Sequence, residues 1–205
     1  SPGNLEGSTK ISQEQDENTK GPKIIKSSFV FKGHKGSVND AAFNPNTDKI
    51  ITGSNDGFAI IWDIITQKPL QRLQGQKEPI YKVAFNSDGS LVMALNARFS
   101  VDVWDAVSGD LKMTLKEDGR QILDVEFSPI NSKKIAAAFS DGSIRIYDLG
   151  DKNKTKIFAS GISGEDVGPG HSLEVTSISY SSDGSKLASV SRDFSAKVWD
   201  VSTAK

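Results

Sequence analysis

The sequence predicts an all-β fold built from four repeated units. Two sets of polar and aromatic residues share offsets of 18, 22 and 28 from a leading histidine: His34, Thr52, Asp56 and Trp62, and then His171, Ser189, Asp193 and Trp199. An aromatic residue followed by aspartate closes each unit, at Trp62, Trp104, Tyr147 and Trp199. No window long enough for a helix shows a helical period, so the repeats indicate strands rather than paired helices.

The first unit shows the four strands that each repeat is expected to contain. We predict them at Val38–Phe43, Lys49–Gly53, Phe58–Trp62 and Leu70–Gln74. The turn Asn55-Asp56-Gly57 separates the second strand from the third. The last unit stops after its third strand, near Val201, and Ser28–Phe31 resembles a fourth strand with no unit before it.

Composition divides the chain into a tail and a repeat region. Residues 1–23 are polar and almost free of large apolar side chains, so we predict a flexible tail or linker there. Residues 24–205 carry the repeats, with unit ends near 63, 105, 148 and 200. A glycine-rich stretch at 160–170 precedes the last unit. It is either a loop that binds a partner or a disordered, solvent-exposed insertion without a function of its own.

Charge and composition exclude several classes of function. The 205 residues include 25 basic and 26 acidic ones, so the chain has no basic field for nucleic acid. The absence of cysteine excludes a disulfide framework, a thiol nucleophile and a cysteine zinc site. No apolar run approaches the length of a membrane span, and the first residues lack a signal-peptide pattern. We therefore expect an intracellular protein, cytoplasmic or nuclear, with no cofactor.

The repeats resemble those of the WD40 family over roughly residues 29–200. Gly33-His34 and Gly170-His171 are similar to its Gly-His dipeptide, and the aromatic-Asp pairs are similar to its closing signature. The resemblance implies that each unit is one four-stranded blade of a β-propeller. It also implies a hydrogen-bonded relay from tryptophan through a hydroxyl and a histidine to an aspartate, and both spaced sets above are complete relays.

The middle units depart from the relay pattern. In the second unit Gln76, Ala94 and Arg98 stand at the histidine, hydroxyl and aspartate positions. In the third, Asp118 falls at the histidine position, Ala137 replaces the hydroxyl and Tyr147 replaces tryptophan. We expect these two units to depend on packing alone and to be softer than the first and fourth.

The His–Asp–Ser/Thr sets also resemble the parts of a hydrolase site, but a structural role is favoured. The whole set recurs in a second unit, whereas an active site is seldom duplicated. Both histidines of the chain are used this way, which leaves none for a general base or a metal ligand. We therefore predict no catalytic residue and no metal site. An enzyme with a site at the channel mouth, involving Asp124 or Glu126, is an alternative.

A propeller without a catalytic site is expected to bind other proteins or peptides. The resemblance implies a docking face formed by the loops before each first strand and the turns after each second strand. On that face we predict Lys35, Ser37, Asn55, Lys77, Pro79, Phe99, Gln121, Arg192 and Phe194. Phe99 and Phe194 are expected to pack against neighbouring blades, and either one is an apolar anchor if exposed. The predicted function is a non-enzymatic scaffold, with a histone-tail or nucleic-acid reader as an alternative.

Two forms of the ring remain open. Phe29–Phe31 pairs with Ala196–Trp199 in a self-closed four-blade ring. Alternatively, the chain is part of a seven- or eight-bladed propeller, or is completed by a partner chain or a second copy. We favour the second form because a typical member of the family has about seven blades, and four units are few.

Overall fold

The computed structural model describes residues 29–75, 77–150, 156–159 and 170–203. Within these ranges the chain forms strands and turns but no helix, which confirms the predicted all-β class. The described residues from Phe31 onward form one compact unit, to which Phe29 and Val30 do not belong. The predicted tail at 1–23, Gln76 and residues 160–169 of the glycine-rich stretch lie outside the described residues.

The described strands form four antiparallel sheets, which we call blades 1 to 4. Blade 1 contains β1 (Val38–Phe43), β2 (Lys49–Ser54), β3 (Phe58–Asp63) and β4 (Pro69–Gln74). Blade 2 contains β5 (Ile80–Phe85), β6 (Leu91–Asn96), β7 (Val101–Asp105) and β8 (Leu111–Leu115). Blade 3 contains β9 (Ile122–Phe127), β10 (Lys134–Phe139), β11 (Ile144–Asp148) and β12 (Lys156–Ala159). Blade 4 contains β13 (Val175–Tyr180), β14 (Lys186–Ser191) and β15 (Ala196–Asp200).

The strands of blade 1 begin and end within one residue of their predicted positions. The strand predicted at Ser28–Phe31 is wrong for the described part, because Phe29–Phe31 belong to no sheet. A strand needs a partner edge for its backbone hydrogen bonds. Within the described residues β15 has no further strand on its outer edge, and the four blades form no closed ring.

Apolar clusters fill the three junctions between consecutive blades. At the first junction Ile51 and Ile61 of blade 1 pack with Ile80, Val83 and Trp104 of blade 2. Equivalent clusters join blade 2 to blade 3 and blade 3 to blade 4. We call the face of a blade that packs on the following blade its forward face, and the opposite one its rear face. Because blades 2 and 3 are covered on both faces, their inner strands carry apolar residues on both sides.

The turn between the second and third strands of every blade contains one residue with a positive φ. These residues are Gly57 (78°), Phe99 (58°), Gly142 (83°) and Phe194 (66°). Glycine is required at position 142, since a Cβ there would lie 2.2 Å from the carbonyl oxygen of His171. A phenylalanine in this region costs roughly 1 kcal/mol or more in backbone strain, so Phe99 and Phe194 are unusual choices.

Candidate functional site

Blade 1 brings the first predicted relay within hydrogen-bonding distance. Trp62 Nε1 donates to Thr52 Oγ1 at 2.8 Å, and this hydroxyl lies 2.8 Å from His34 Nε2. His34 Nδ1 lies 3.1 Å from both carboxylate oxygens of Asp56. Because the ionised Asp56 carboxylate can only accept, we assign the imidazole proton to Nδ1, and Nε2 then accepts from the Thr52 hydroxyl. The relay joins β3, β2, the segment before β1 and the β2–β3 turn.

Blade 4 repeats this geometry with serine in place of threonine. Trp199 Nε1 donates to Ser189 Oγ at 2.8 Å, and Ser189 Oγ lies 2.8 Å from His171 Nε2. His171 Nδ1 lies 2.9 Å from Asp193 Oδ2. Ser195 Oγ donates to Asp193 Oδ1 at 2.6 Å and closes the far end of the relay.

The hydroxyls of both relays are buried between an indole and an imidazole. In blade 4 the exposed fractions of His171 and Ser189 are 0% and 2%. Thr52 is buried too. A nucleophilic hydroxyl needs an open side that a substrate carbonyl can reach. Neither hydroxyl has such a side, which distinguishes both sets from an accessible catalytic triad.

The relay aspartates are held ionised by their hydrogen bonds. The Ser195 hydroxyl, acting against burial and together with His171, holds the pKa of Asp193 well below its ordinary value of 3.8. Burial of Asp56 raises its pKa, but hydrogen bonds from the Lys35 N–H and from His34 outweigh that effect and leave the pKa lowered. Both carboxylates therefore favour the folded state in their charged form.

These lowered pKa values predict acid sensitivity of the fold. A carboxylate with a lowered folded-state pKa stabilises the protein above its unfolded pKa and loses that effect as the pH falls through the folded pKa. We expect the free energy of unfolding to be nearly constant around neutral pH and to decline below about pH 4. Denaturant titrations at a series of pH values measure this. Asp193→Asn should decline less steeply than wild type, and equal acid dependence of the two proteins contradicts the argument.

Blade 3 replaces the relay with a charged network. Tyr147 Oη donates to Glu117 Oε1 at 2.8 Å, and Arg145 lies 3.1 Å from the other oxygen of Glu117. Arg120 Nε donates to Asp141 Oδ2 at 2.6 Å. The expectation that this blade depends on packing alone is wrong, because the network joins β11, the segment before β9 and the β10–β11 turn, which are three of the four segments that a relay joins. Glu117 takes the histidine's place, whereas Asp118, which sequence counting put there, is exposed.

Blade 2 also contains polar side-chain interactions that join its segments. Arg98 Nε donates to Glu78 Oε1 at 2.7 Å and joins the β6–β7 turn to the segment before β5. The signs of the charges are reversed relative to the Arg120–Asp141 pair of blade 3. Asp102 is buried and accepts from Thr114 Oγ1 at 2.5 Å. The expectation of packing alone is wrong here too, although Arg98 is largely exposed and such an ion pair contributes little.

Carboxylates on the first strands join neighbouring blades, a role that the sequence analysis missed. Asp124 accepts from Lys82 Nζ at 2.6 Å, from Ser177 Oγ at 2.8 Å and from the Ile178 N–H at 2.9 Å. Asp40 accepts from the Val83 N–H at 2.9 Å. Their shared position in the repeat could have identified them, because Asp40 and Asp124 each lie two residues after the start of a first strand. Asp124 is therefore engaged at blade junctions.

Glu126 lies at the same junction as Asp124. It accepts from the Tyr180 N–H at 2.9 Å, and burial raises its pKa against the opposing effect of that bond. Together the two carboxylates proposed for an enzymatic alternative bind three backbone or side-chain groups of blade 4. Among the described residues no group of three or more His, Cys, Asp or Glu side chains could hold a metal ion.

The predicted docking residues lie at one end of the blades. In each blade a backbone N–H of the turn after the second strand donates to the carbonyl of the segment before the first strand. The four bonds run from Asn55 to Ser37, from Ala97 to Pro79, from Ser140 to Gln121 and from Arg192 to Glu174, at 2.8–3.1 Å. This end thus carries all nine predicted residues, and those that are exposed are Lys35, Ser37, Asn55, Lys77, Gln121, Arg192 and Phe194.

Three of the predicted residues line one open cavity of about 350 Å³, which blades 2, 3 and 4 share. Phe99, Gln121 and Arg192 meet there with Leu123, Ser140, Glu174 and Thr176. Phe99 and Leu123 form an apolar wall, and the half-buried Glu174 carboxylate and the exposed Arg192 guanidinium supply charge. Lys35, Ser37, Asn55, Lys77, Pro79 and Phe194 do not line this cavity.

The two candidate aromatic anchors differ. Phe99 is half-buried, and its carbonyl accepts from the Ile122 N–H of blade 3 at 3.3 Å. Phe194 is 100% exposed, so the expectation that both rings pack against a neighbouring blade is wrong for Phe194. The reason is that no blade follows blade 4 in the described part of the chain.

Comparison with known proteins identifies the repeats. The family described as WD domain, G-beta repeat matches residues 25–63, 67–105, 109–148 and 164–200. The chain belongs to the WD40 family. The four blades are WD40 repeats, and the resemblance drawn from the Gly-His and aromatic-Asp pairs is confirmed.

Curated WD40 relatives match most of the chain. It is 32% identical over 175 residues to the small ribosomal subunit protein RACK1y of Oryza sativa subsp. japonica, and 30% identical over 190 residues to the WD repeat-containing protein SL1-17 of Schistosoma mansoni. It is 24% identical over 170 residues to the U5 small nuclear ribonucleoprotein 40 kDa protein of Dictyostelium discoideum. These matches cover 83%, 77% and 82% of the chain but only 50%, 63% and 45% of the relatives. In the described residues no helix is long and apolar enough to cross a membrane.

Proposed function

We propose that the chain is a non-enzymatic scaffold that binds other proteins or peptides inside a multiprotein complex, in the cytoplasm or nucleus. WD40 membership supports this, and two relatives are named as components of a ribosomal subunit and of a small nuclear ribonucleoprotein. The two buried relays support a structural use of both histidines. We further propose that another chain or a second copy completes the propeller.

The observation that carries the docking proposal is the cavity lined by Phe99, Gln121 and Arg192. It combines an apolar wall with a few convergent polar groups, the usual composition of a binding pocket. The rigid blade ends position the loops around it, and loops on a rigid scaffold are common binding elements. A partner segment with an apolar stem and a polar head fits this chemistry.

Phe99→Gly tests the docking proposal without endangering the fold. Glycine adopts the positive φ at this turn at lower cost, so relief of strain offsets the lost packing. We expect the free energy of unfolding to change by less than about 1 kcal/mol. Affinity for peptides selected on the wild-type chain from a random display library should fall at least about tenfold, measured by fluorescence anisotropy.

Ile65→Ala is the matched control, because Ile65 is an exposed apolar residue in the β3–β4 loop at the opposite end of blade 1. It should leave peptide affinity unchanged. Selected peptides that bind Phe99→Gly as tightly as wild type, or that lose affinity equally with Ile65→Ala, contradict the proposed docking site.

A further inference from the structure

The forward face of blade 4 is apolar and uncovered. Ala188, Val190, Ala196 and Val198 point away from blade 3, and the exposed fractions of Val190 and Val198 are 45% and 69%. The strand registers place Val198 at the position that Ile61, Val103 and Ile146 occupy in the other blades. Those three residues are fully or almost fully buried against a following blade. Blade 4 thus carries a junction face without its neighbour.

The rear face of blade 1 is uncovered in the same way. Val38 and Phe43 on β1 are 53% and 66% exposed. The residues at the position of Val38 in blades 2, 3 and 4 are Ile80, Ile122 and Val175, and all three are buried against a preceding blade. Phe127, at the position of Phe43 in blade 3, is buried as well. The chain therefore presents both halves of one junction.

We infer that a second copy of this chain places the rear face of its blade 1 on the forward face of blade 4. This inference rests on the proposed role of the chain as an interaction scaffold. The interface continues the three existing junctions, which use the same positions on both sides. Repeating the contact in the other direction closes two copies into a ring of eight blades.

Residue sizes at the new junction are complementary. At the first junction Gly53 lies so close to blade 2 that a Cβ would be 2.5 Å from Ile80 and 2.8 Å from Val83. Val190 takes the position of Gly53 in blade 4, and the buried Leu95 at the same position of blade 2 shows that a junction accommodates a larger apolar side chain there. Val38 and Ala41 of the second copy, at the positions of Ile80 and Val83, are smaller.

Phe194 gives a separate argument that a second copy of the chain covers the forward face of blade 4. Its equivalent, Phe99, contacts the first strand of the following blade through the Ile122 N–H. Phe194 has the same strained φ but is fully exposed, so nothing in the described structure compensates its strain. In the two-copy ring Phe194 lies against β1 of the second copy, where its carbonyl faces the Val38 N–H.

Light scattering of the full chain tests the inference. We expect twice the 22.1 kDa mass of one chain. Val198→Glu and Phe43→Glu, each on one half of the junction, should raise the dissociation constant at least about tenfold, because each buries a charge in the interface. Val107→Glu, at an 81% exposed site outside both faces, should leave the dimer intact. A monomeric wild type, or a dimer insensitive to both junction variants, overturns the inference.

Introduced cysteines identify the contacting faces, since the chain has no cysteine of its own. Val38→Cys and Val190→Cys proteins, mixed and oxidised, should give a disulfide-linked heterodimer that neither protein gives alone. A double variant that cross-links within one chain indicates a self-closed four-blade ring and overturns the inference. Peptide binding that depends on Phe99 is unaffected by such a result, so failure of the dimer and failure of the docking proposal are distinguishable.

Discussion

Ser189→Ala should lower the free energy of unfolding by about 2–4 kcal/mol. The substitution removes one oxygen, but that oxygen accepts from Trp199 Nε1 and lies 2.8 Å from His171 Nε2. Both partners are buried, and an unsatisfied buried polar group costs roughly 1–3 kcal/mol. His171→Ala and Trp199→Phe should each cost about 1–3 kcal/mol by the same mechanism. Denaturant titration with fluorescence detection measures all of these effects.

Ser189→Thr and Ser179→Ala are the controls for this experiment. Threonine keeps the hydroxyl, as Thr52 does in blade 1, and should cost less than about 1 kcal/mol. Ser179 is an exposed serine of the same blade, and its replacement should change stability by less than about 0.5 kcal/mol. If Ser189→Ala is no more destabilising than Ser179→Ala, the relay does not stabilise blade 4.

Asp124→Ala should destabilise the fold by about 2–4 kcal/mol, because one carboxylate connects three blades. The substitution leaves the Ile178 N–H without its acceptor and Lys82 without its ion-pair partner. Lys82 is about one third exposed, so water screens part of this loss. Asp124→Asn keeps an acceptor oxygen and should be intermediate. Thermal and denaturant unfolding measure the series.

Asp118→Ala provides the comparison, since Asp118 is exposed and precedes β9 of the same blade. It should change stability by less than about 0.5 kcal/mol. The series also separates a scaffold from an enzyme with a site at the channel mouth. If Asp124→Ala abolishes an activity while the protein unfolds as wild type does, Asp124 is catalytic and not a junction residue.

The fold could be predicted largely from local and periodic signals. The two histidine-led sets share their offsets because each blade repeats one geometry, and turn residues fix the strand ends of blade 1 to within one residue. Together with the resemblance to the WD40 family, the same offsets named every residue of both relays. The strand at Phe29–Phe31 could not be excluded from sequence, because a strand exists only where a partner edge is available.

The polar networks of blades 2 and 3 could not be predicted from the repeat pattern of the sequence. In blade 3 the partner of Tyr147 is Glu117, one residue from the position that counting selects, and Arg120 carries the connection to Asp141. Long charged side chains reach across such an offset, so position alone does not identify them. The predicted softness of blades 2 and 3 therefore loses its basis. In a single chain, diluted below the dissociation constant of the dimer, hydrogen exchange should instead open blade 4 first, because its forward face is then uncovered.

Direct observation of the imidazole protons tests the central claim that both histidines serve the architecture. Nitrogen-edited NMR at neutral pH reports which ring nitrogen carries the proton and how fast that proton exchanges with water. We expect the proton of His34 and of His171 on Nδ1, bonded to Asp56 and Asp193 and slow to exchange. A proton on Nε2 that exchanges rapidly with solvent in either histidine contradicts the account.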